Sequence, residues 1–231
     1  MNLPLTVAVI IAGYLLGSIS TAVWAGKLFH GVDVREHGSG NAGATNVIRV
    51  LGWWTGIPVM LIDVGKGFIA ALLPVILHLA GKGSNTLITL QIICGIAAIL
   101  GHLFPLYTGF KGGKGVGATV GILLAIHPLL TLSCLGVFLL VFVIVGIVSV
   151  ASMSFGIAFP LLLFTLFHTE SIVFKIFSVL VAIALIFTHR ANIGRLLRGE
   201  EKKLIRARKG SEGDRESGSF KRSPKFKKFV T

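Results

Sequence analysis

The sequence has little charge for its length. Of its 231 residues only 13% are Asp, Glu, Lys or Arg, while 54% are hydrophobic. A soluble domain of this size carries about twice that charged fraction, so the composition excludes an ordinary soluble protein. Acidic residues are the scarcest group, with nine in the whole chain. The acidic residues that precede position 190 are Asp33, Glu36, Asp63 and Glu170.

Cysteine is almost absent as well. Cys94 and Cys134 each lie inside an apolar run, where a thiol behaves as a small inert hydrophobe. We therefore expect neither a disulfide, nor a metal ligand, nor an acyl-carrying nucleophile from these two residues. The sequence also lacks an HEXXH motif, a paired-carboxylate constellation, a Cys cluster and a GxSxG nucleophile elbow.

Long apolar runs occupy most of the chain, and about 20 such residues cross the hydrocarbon core of a bilayer. The first run is too long for a signal peptide and lacks a basic n-region, so we interpret it as retained. The sequence predicts an all-α integral membrane protein with seven transmembrane helices. The predicted spans are 3–28, 56–79, 86–106, 116–127, 129–147, 150–168 and 171–190.

Lysine and arginine concentrate in the polar stretches 29–55 and 107–115 and in the tail from 191. The positive-inside rule places all three in the cytoplasm, with the N-terminus outside and the C-terminus cytosolic. We predict a membrane domain over 1–205 and a basic, disordered cytosolic tail over 206–231. Such a tail binds anionic lipid head groups in preference to nucleic acid.

The same orientation requires an even number of crossings between the second polar stretch and the tail. Residues 116–190 number 75, whereas four full spans need roughly 80, so at least one span is predicted to be short or half-spanning. The candidate is 116–127, which His127-Pro128 stops. Because a half-spanning helix is tolerated where its end lines a cavity, this segment indicates an active site on the cytosolic side.

The first polar stretch, residues 36–49, reads "EHGSGNAGATNVIR". Its glycines, Gly40 among them, permit tight turns that present backbone N–H groups. Short polar side chains and one arginine add hydrogen-bonding groups suited to phosphate. These side chains are Ser39, Asn41, Thr45, Asn46 and Arg49. The alternative is a solvated loop whose Ser, Asn and Gly only form turns.

The second polar stretch, residues 109–115, reads "GFKGGKG". It is not a Walker A loop, because a glycine and not Ser or Thr follows the last lysine. Its glycines can still form a nest of N–H groups, and the helix predicted to start at Val116 adds its positive end. The nest glycines are Gly112, Gly113 and Gly115, and the lysines are Lys111 and Lys114. A glycine-rich turn with positive-inside lysines is the alternative.

The third stretch follows the last span and places four side chains on one helical face. They are His189, Asn192, Arg195 and Arg198. Snorkelling of these cations to the interface is the alternative interpretation. Three further residues stand out within spans: Asp63 and Lys66 are expected to pair with each other, and His102 either lines a cleft or packs against backbone.

Two cationic glycine loops on one side of a membrane indicate two phosphate groups bound together. Without a nucleophile of its own, such an enzyme would transfer a group directly between two bound substrates, by positioning and charge stabilisation. A transporter of an organic phosphate is the alternative, but transporters bind substrate near the midplane and tend to show internal repeats. We find no repeat, and the cations lie at one surface.

Three stretches closely resemble the three motifs of the bacterial acyl-phosphate:glycerol-3-phosphate acyltransferase family, PlsY. They are "GSGNAGATNVIR" (38–49), "GHLFPLYTGFKGGKG" (101–115) and "HRANIGRLLRGEE" (189–201). The stretch "DVGKG" (63–67) and the serines at 149–152 also fit the family. The resemblance implies a multi-pass enzyme of the bacterial plasma membrane, without a metal or organic cofactor. Its substrates would be glycerol 3-phosphate and a fatty acyl phosphate, and its products lysophosphatidic acid and phosphate. A transferase acting on another phosphorylated lipid precursor is the second possibility.

The resemblance also implies which residues form the site. The catalytic set is Ser39, Arg49, Lys114, His189 and Asn192. The substrate-binding set is Gly40, Asn41, Thr45, Asn46, Lys111, Gly112, Gly113, Gly115, Ser152, Arg195 and Glu201. The chain departs from the family at Ala42, where many members have Pro, and in the register of 117–119, so Thr119 receives no role.

We expect Arg49, His189 and Asn192 to hold the glycerol phosphate. Lys114, the three glycine N–H groups and Ser39 are expected to hold the acyl phosphate. The general base stays open between His189, which has a suitable intrinsic pKa, and a phosphate oxygen of one substrate, which we favour.

Overall fold

The computed structural model describes residues 3–204, and this part of the chain is helical without any β-strand. The α-helices are α1 Leu3–Gly17, α2 Thr21–His30, α3 Ala44–Leu51, α4 Trp53–Ile76, α5 Asn85–Leu103, α6 Val116–Ile126, α7 Pro128–Val145, α8 Val148–Leu162, α9 Ile172–Thr188 and α10 Arg190–Leu197. The predicted all-α class is confirmed. The basic tail predicted over 206–231 lies outside the described residues.

Four helices are long and apolar enough to cross a membrane: α4, α5, α7 and α8, the last together with the π-helical turn Leu163–Phe167 that continues it. Two bent pairs raise the number to six if each pair forms one span: α1 with α2, bent by 43°, and α9 with α10, bent by 55°. The short apolar helix α6 has 11 residues and is about 16 Å long, roughly half of the ~30 Å hydrocarbon core. It ends just before His127-Pro128, as predicted, whereas the count of seven spans stays a prediction.

The first predicted span is wrong in one respect, because 3–28 is not a single helix. The chain breaks between Gly17 and Thr21, where the Ser18 hydroxyl donates to the Tyr14 carbonyl at 2.9 Å. The Ile19 carbonyl, outside the regular ladder of either helix, accepts from the Thr21 N–H at 3.1 Å and from Lys66 Nζ at 2.8 Å. The stretch 29–55, expected to be loop, also contains a helix, α3.

Close contacts between helices fix the ends that surround the site. On α6, a side chain at Gly121 would clash with the Val64 carbonyl of α4, so the two backbones meet directly. Beside them, Phe155, Phe159 and Phe174 pack in a core formed mainly by α6, α7, α8 and α9. These contacts hold the N-terminal ends of α6 and α8 in fixed positions.

Candidate active site

One cavity of about 370 Å³ brings the three polar stretches together. The predicted site residues that line it are Ser39, Asn41, Thr45, Asn46, Arg49, Lys114, Gly115, Ser152, His189, Asn192 and Glu201. The predicted residues that do not line it are Gly40, Lys111, Gly112, Gly113 and Arg195. Three segments that are distant in sequence therefore form one cleft. This agrees with the prediction that two phosphate groups are bound side by side.

The first loop is organised by a side chain. Asn46, which is buried, donates from Nδ2 to the carbonyls of Val34 at 2.7 Å and His37 at 3.0 Å. Its Oδ1 accepts from the Ser39 N–H at 2.8 Å. The side-chain amide of Asn46, predicted to bind substrate, therefore uses its hydrogen bonds to fix the conformation of the loop around Ser39. Gly40 belongs to the turn, where its N–H donates to the His37 carbonyl.

The second loop is organised by backbone. The N–H of Gly112 donates to the Leu103 carbonyl and the N–H of Gly113 to the His102 carbonyl, each at 3.1 Å. The predicted nest of three free N–H groups is therefore wrong for these two glycines, because the end of α5 already uses their donors. Gly115 lines the cleft and begins α6 in the left-handed region, with φ of 84°.

The two lysines of this loop have different environments. Lys111 is exposed and outside the cleft, and its role in binding stays a prediction. Lys114 lines the cleft, where its Nζ donates to Asn192 Oδ1. Burial lowers the pKa of Lys114 to about 8; Glu201 opposes this shift, and two nearby arginines add to it. The cleft therefore contains a desolvated cation that an anion would stabilise.

Glu201 connects the third stretch to α8. Its carboxylate accepts from Asn192 Nδ2 and Arg195 Nε, each at 2.6 Å, and from Ser149 Oγ at 3.1 Å. Burial opposes ionisation, but the hydrogen bonds from Arg195 and Asn192 keep the pKa of Glu201 below its usual value. Arg195, which does not line the cleft, therefore acts on it by holding the carboxylate of Glu201, which does. Ser149 fitted the family resemblance but was given no role in the predicted site, since its partner lies 52 residues away.

The chain after α10 folds back across this region. The Lys202 carbonyl accepts from Arg49 Nη2 at 3.0 Å, and the Leu204 N–H donates to the Gly146 carbonyl at 2.9 Å. The Nε of Arg49 is buried and has no hydrogen-bond partner among residues 3–204. Burial lowers the pKa of this arginine. Arg49 therefore retains a donor for an anion in the cleft.

His189 lies at the bend between α9 and α10, with only 2% of its surface exposed. Its Nδ1 is 2.7 Å from the Leu185 carbonyl oxygen. Because a carbonyl can only accept, Nδ1 carries the proton in this contact, and Nε2 of the neutral ring keeps its lone pair. His189 therefore offers the cleft a hydrogen-bond acceptor.

The remaining wall of the cleft is mostly apolar. It is formed by Met60, Val64, Val120, Leu124, Leu135, Phe138, Val148 and Phe155. The sequence did not single these residues out, because composition alone does not tell a cleft-facing apolar side chain from one in the core or against lipid. Asp63 and His102 also line the cleft, and Asp63 pairs with Lys66 at 2.8 Å as predicted.

Comparison with known proteins agrees with this arrangement. The family model described as glycerol-3-phosphate acyltransferase matches residues 7–199. Two similar curated proteins of that name come from Chlorobaculum tepidum, 45% identical, and Chlorobaculum parvum, 42% identical. In each pair 87% of this chain and 97% of the other protein are covered.

Two solved structures of PlsY, an integral membrane glycerol 3-phosphate acyltransferase, have the same fold. Its glycerol 3-phosphate form has a TM-score of 0.78 and its lysophosphatidic acid form one of 0.75. Both are 38% identical, over 86% of this chain and 94% of the other. The resemblance drawn from the three sequence motifs is confirmed, and the chain belongs to the glycerol-3-phosphate acyltransferase family.

Proposed function

We propose that this protein transfers a fatty acyl group from acyl phosphate to the 1-hydroxyl of glycerol 3-phosphate. The observation that carries the proposal is the junction, in one cavity, of a cationic polar end with an apolar wall. An acyl phosphate has the matching form, a charged head and a chain that prefers lipid. The similar solved structures are forms of PlsY with a substrate and a product of this reaction.

Two cations divide the phosphate groups between them. Arg49, whose Nε has no partner among the described residues, binds the phosphate of glycerol 3-phosphate beside Asn192. Lys114 binds the acyl phosphate, and the N-terminal end of α6, which begins one residue after Gly115, adds its positive end. Since both cations are partly desolvated, their attraction for developing negative charge exceeds what it would be in water.

The reaction is then a single displacement. The glycerol hydroxyl oxygen attacks the acyl carbonyl carbon, the bond from that carbon to the phosphate oxygen breaks, and inorganic phosphate leaves. His189 Nε2 accepts a hydrogen bond from the attacking hydroxyl and orients it. The proton passes to an oxygen of the departing phosphate, because a second cation beside Lys114 in this cleft would be costly.

The protein is proposed to lie in the bacterial plasma membrane with its N-terminus outside. The cleft, with Arg49 from the first polar stretch and Lys114 from the second, then opens to the cytosol in accord with the positive-inside rule. A soluble substrate reaches the polar end from water, while the acyl chain lies against the apolar wall formed by α4, α6, α7 and α8. Neither step of binding calls on a metal or an organic cofactor.

The test uses purified protein in lipid or detergent, with labelled glycerol 3-phosphate and either palmitoyl phosphate or palmitoyl-CoA. We expect lysophosphatidic acid only from palmitoyl phosphate, and at least a hundredfold less of it with Lys114→Ala, as for loss of one charge-stabilising donor (about 10²–10³). Lys82→Ala, at an exposed site outside the cleft, is the matched control and should keep full activity. Product formed equally well from palmitoyl-CoA would contradict the assigned donor.

A further inference from the structure

A buried polar cluster lies beneath the second loop, within the helical part of the protein. Asp63 Oδ1 accepts from Lys66 Nζ at 2.8 Å and from Thr21 Oγ1 at 3.3 Å, and lies 3.6 Å from His102 Nδ1. Each of the four side chains is less than 9% exposed. Ionisable groups at such depth are expensive, and in membrane proteins they usually serve a function.

The break in the first span anchors this cluster. Lys66 also donates to the Ile19 carbonyl at 2.8 Å, and Thr21 is the first residue of α2. The position of Asp63 is therefore set from within the break and from the start of α2, as well as from its own helix, α4. A carboxylate fixed in this way is a rigid support for whatever lies next to it.

The group next to it is His102, near the end of α5. A 3.6 Å separation is too long for a hydrogen bond, and His102 Nδ1 is buried without such a partner among residues 3–204. The other edge of the ring faces the loop: a side chain at Gly113 would clash with His102 Nε2. The His102 carbonyl also accepts a hydrogen bond from the Gly113 N–H. The ring and the backbone of His102 together therefore fix the position of Gly113, the residue before Lys114.

We propose that Asp63 and His102 are positioning residues, which hold the second loop from below and thereby fix the ammonium group of Lys114 in the cleft. The carboxylate attracts a proton on Nδ1 and so orients the imidazole, and a contact of this kind tightens when substrate fills the site. The inference rests on the proposed function only for the identity of the anion that Lys114 holds.

The test measures Lys114 directly, without the need for turnover. Purified protein is treated with acetic anhydride, which acylates an amine only in its neutral form, and modification of Lys114 is quantified by peptide mass spectrometry as pH is raised. In the wild type we expect a midpoint near pH 8, from the lowered pKa of this lysine. Asp63→Asn and His102→Asn should release the loop into water and move the midpoint upward by about one unit or more.

Three companion variants separate positioning from mere stability. His102→Gln, whose amide reaches the Nε2 position, should stay closer to the wild type than His102→Asn. Gln91→Leu replaces a buried polar side chain on the same helix outside the cleft, and it should leave the midpoint unchanged even if the protein unfolds more easily. Thr21→Val replaces Asp63→Asn if that variant does not fold, with a smaller shift in the same direction.

A midpoint that stays near 8 in the Asp63 and His102 variants, while their melting temperature falls, would overturn the inference. So would an equal shift in Gln91→Leu. If the variants show these shifts but the wild type forms no lysophosphatidic acid, the proposed function is overturned and the support of Lys114 by Asp63 and His102 still stands.

Discussion

The two glycine-rich loops of the cleft look alike in sequence and are held in different ways. The first depends on one side chain, Asn46, which bonds three backbone groups of the loop. The second depends on carbonyls at the end of α5, which bond Gly112 and Gly113. The first loop should lose its conformation when the Asn46 side chain is removed. The second should lose its conformation only when its backbone can no longer come close to the end of α5.

The largest effect is expected from Asn46→Ala. It removes three hydrogen bonds at a site with only 2% exposure, and at about 1 kcal/mol each the free energy of unfolding should fall by about 3 kcal/mol. Thermal or denaturant unfolding in detergent measures the change. Asn41→Ala in the same loop is the matched control, since its side chain makes none of these bonds. Equal stability of the two variants would sink the assigned role.

Gly113→Ala should abolish most activity with less effect on stability. The added methyl group would clash with His102 Nε2, and the loop would have to move by about 1 Å, a misplacement that costs roughly a hundredfold in rate. Steady-state measurement of kcat/KM gives the loss. Gly65→Ala on α4, where a side chain would meet open space, should retain wild-type activity. A fully active Gly113→Ala would show that the loop is not tightly held.

The pH dependence of phosphate binding tests the charge in the second loop. A bound phosphate favours the protonated lysine, so affinity should be full below pH 8 and fall by up to about tenfold per unit above it. For the empty protein the sign is opposite: unfolding frees a lysine that binds more protons, so stability rises between pH 8 and 10.5.

Calorimetric titration with inorganic phosphate across this range measures the affinity. Lys114→Arg is the control, because a guanidinium stays protonated throughout and should give a flat profile. An unchanged slope in that variant would assign the titration to another group.

The smallest effect is expected where the two loops are tied together. Arg35 bonds Asp33 through Nε and Nη2 and reaches the Thr108 carbonyl with Nη1 at 2.7 Å. Lysine lacks the forked guanidinium needed to bond Asp33 and the Thr108 carbonyl at once. Loss of one such hydrogen bond costs about 1 kcal/mol, so Arg35→Lys should raise the KM for the substrates a fewfold. Lys27→Gln removes an exposed ion pair to the same Asp33 and should change nothing measurable. An effect of Lys27→Gln as large as that of Arg35→Lys would contradict the bridge.

The sequence predicted those features that depend on local chemistry. The stop at His127-Pro128 follows from the restriction that proline imposes on its predecessor, and the pairing of Asp63 with Lys66 follows from helical spacing. The break after Gly17 was missed because no proline or long polar stretch marks it. The Ile19 carbonyl inside the break bonds Lys66, which lies 47 residues away, so no local pattern in the sequence shows this contact.

The same limit explains the errors in the site. The sequence showed that Asn46 and the glycines of the second loop have hydrogen-bonding groups, but not that carbonyls within the protein would take them. Asn46 finds its partners up to 12 residues away, and Gly113 binds the end of the preceding helix. Arg49, Lys114 and Glu201 line the cleft as expected, because a buried charged side chain has few alternatives to a shared polar cleft in a protein so poor in charge. Lys111 and Arg195, which are also charged, lie outside the cleft.

Direct transfer within one cleft is the central claim, and a single-turnover experiment tests it most directly. Protein is mixed with palmitoyl phosphate labelled in the acyl chain, first without and then with glycerol 3-phosphate, and released phosphate and labelled species are followed in time. We predict that phosphate appears only with glycerol 3-phosphate present, one for each lysophosphatidic acid, and that label never stays on the protein. A burst of one phosphate per protein without the acceptor, with palmitate bound to the chain, would contradict direct transfer.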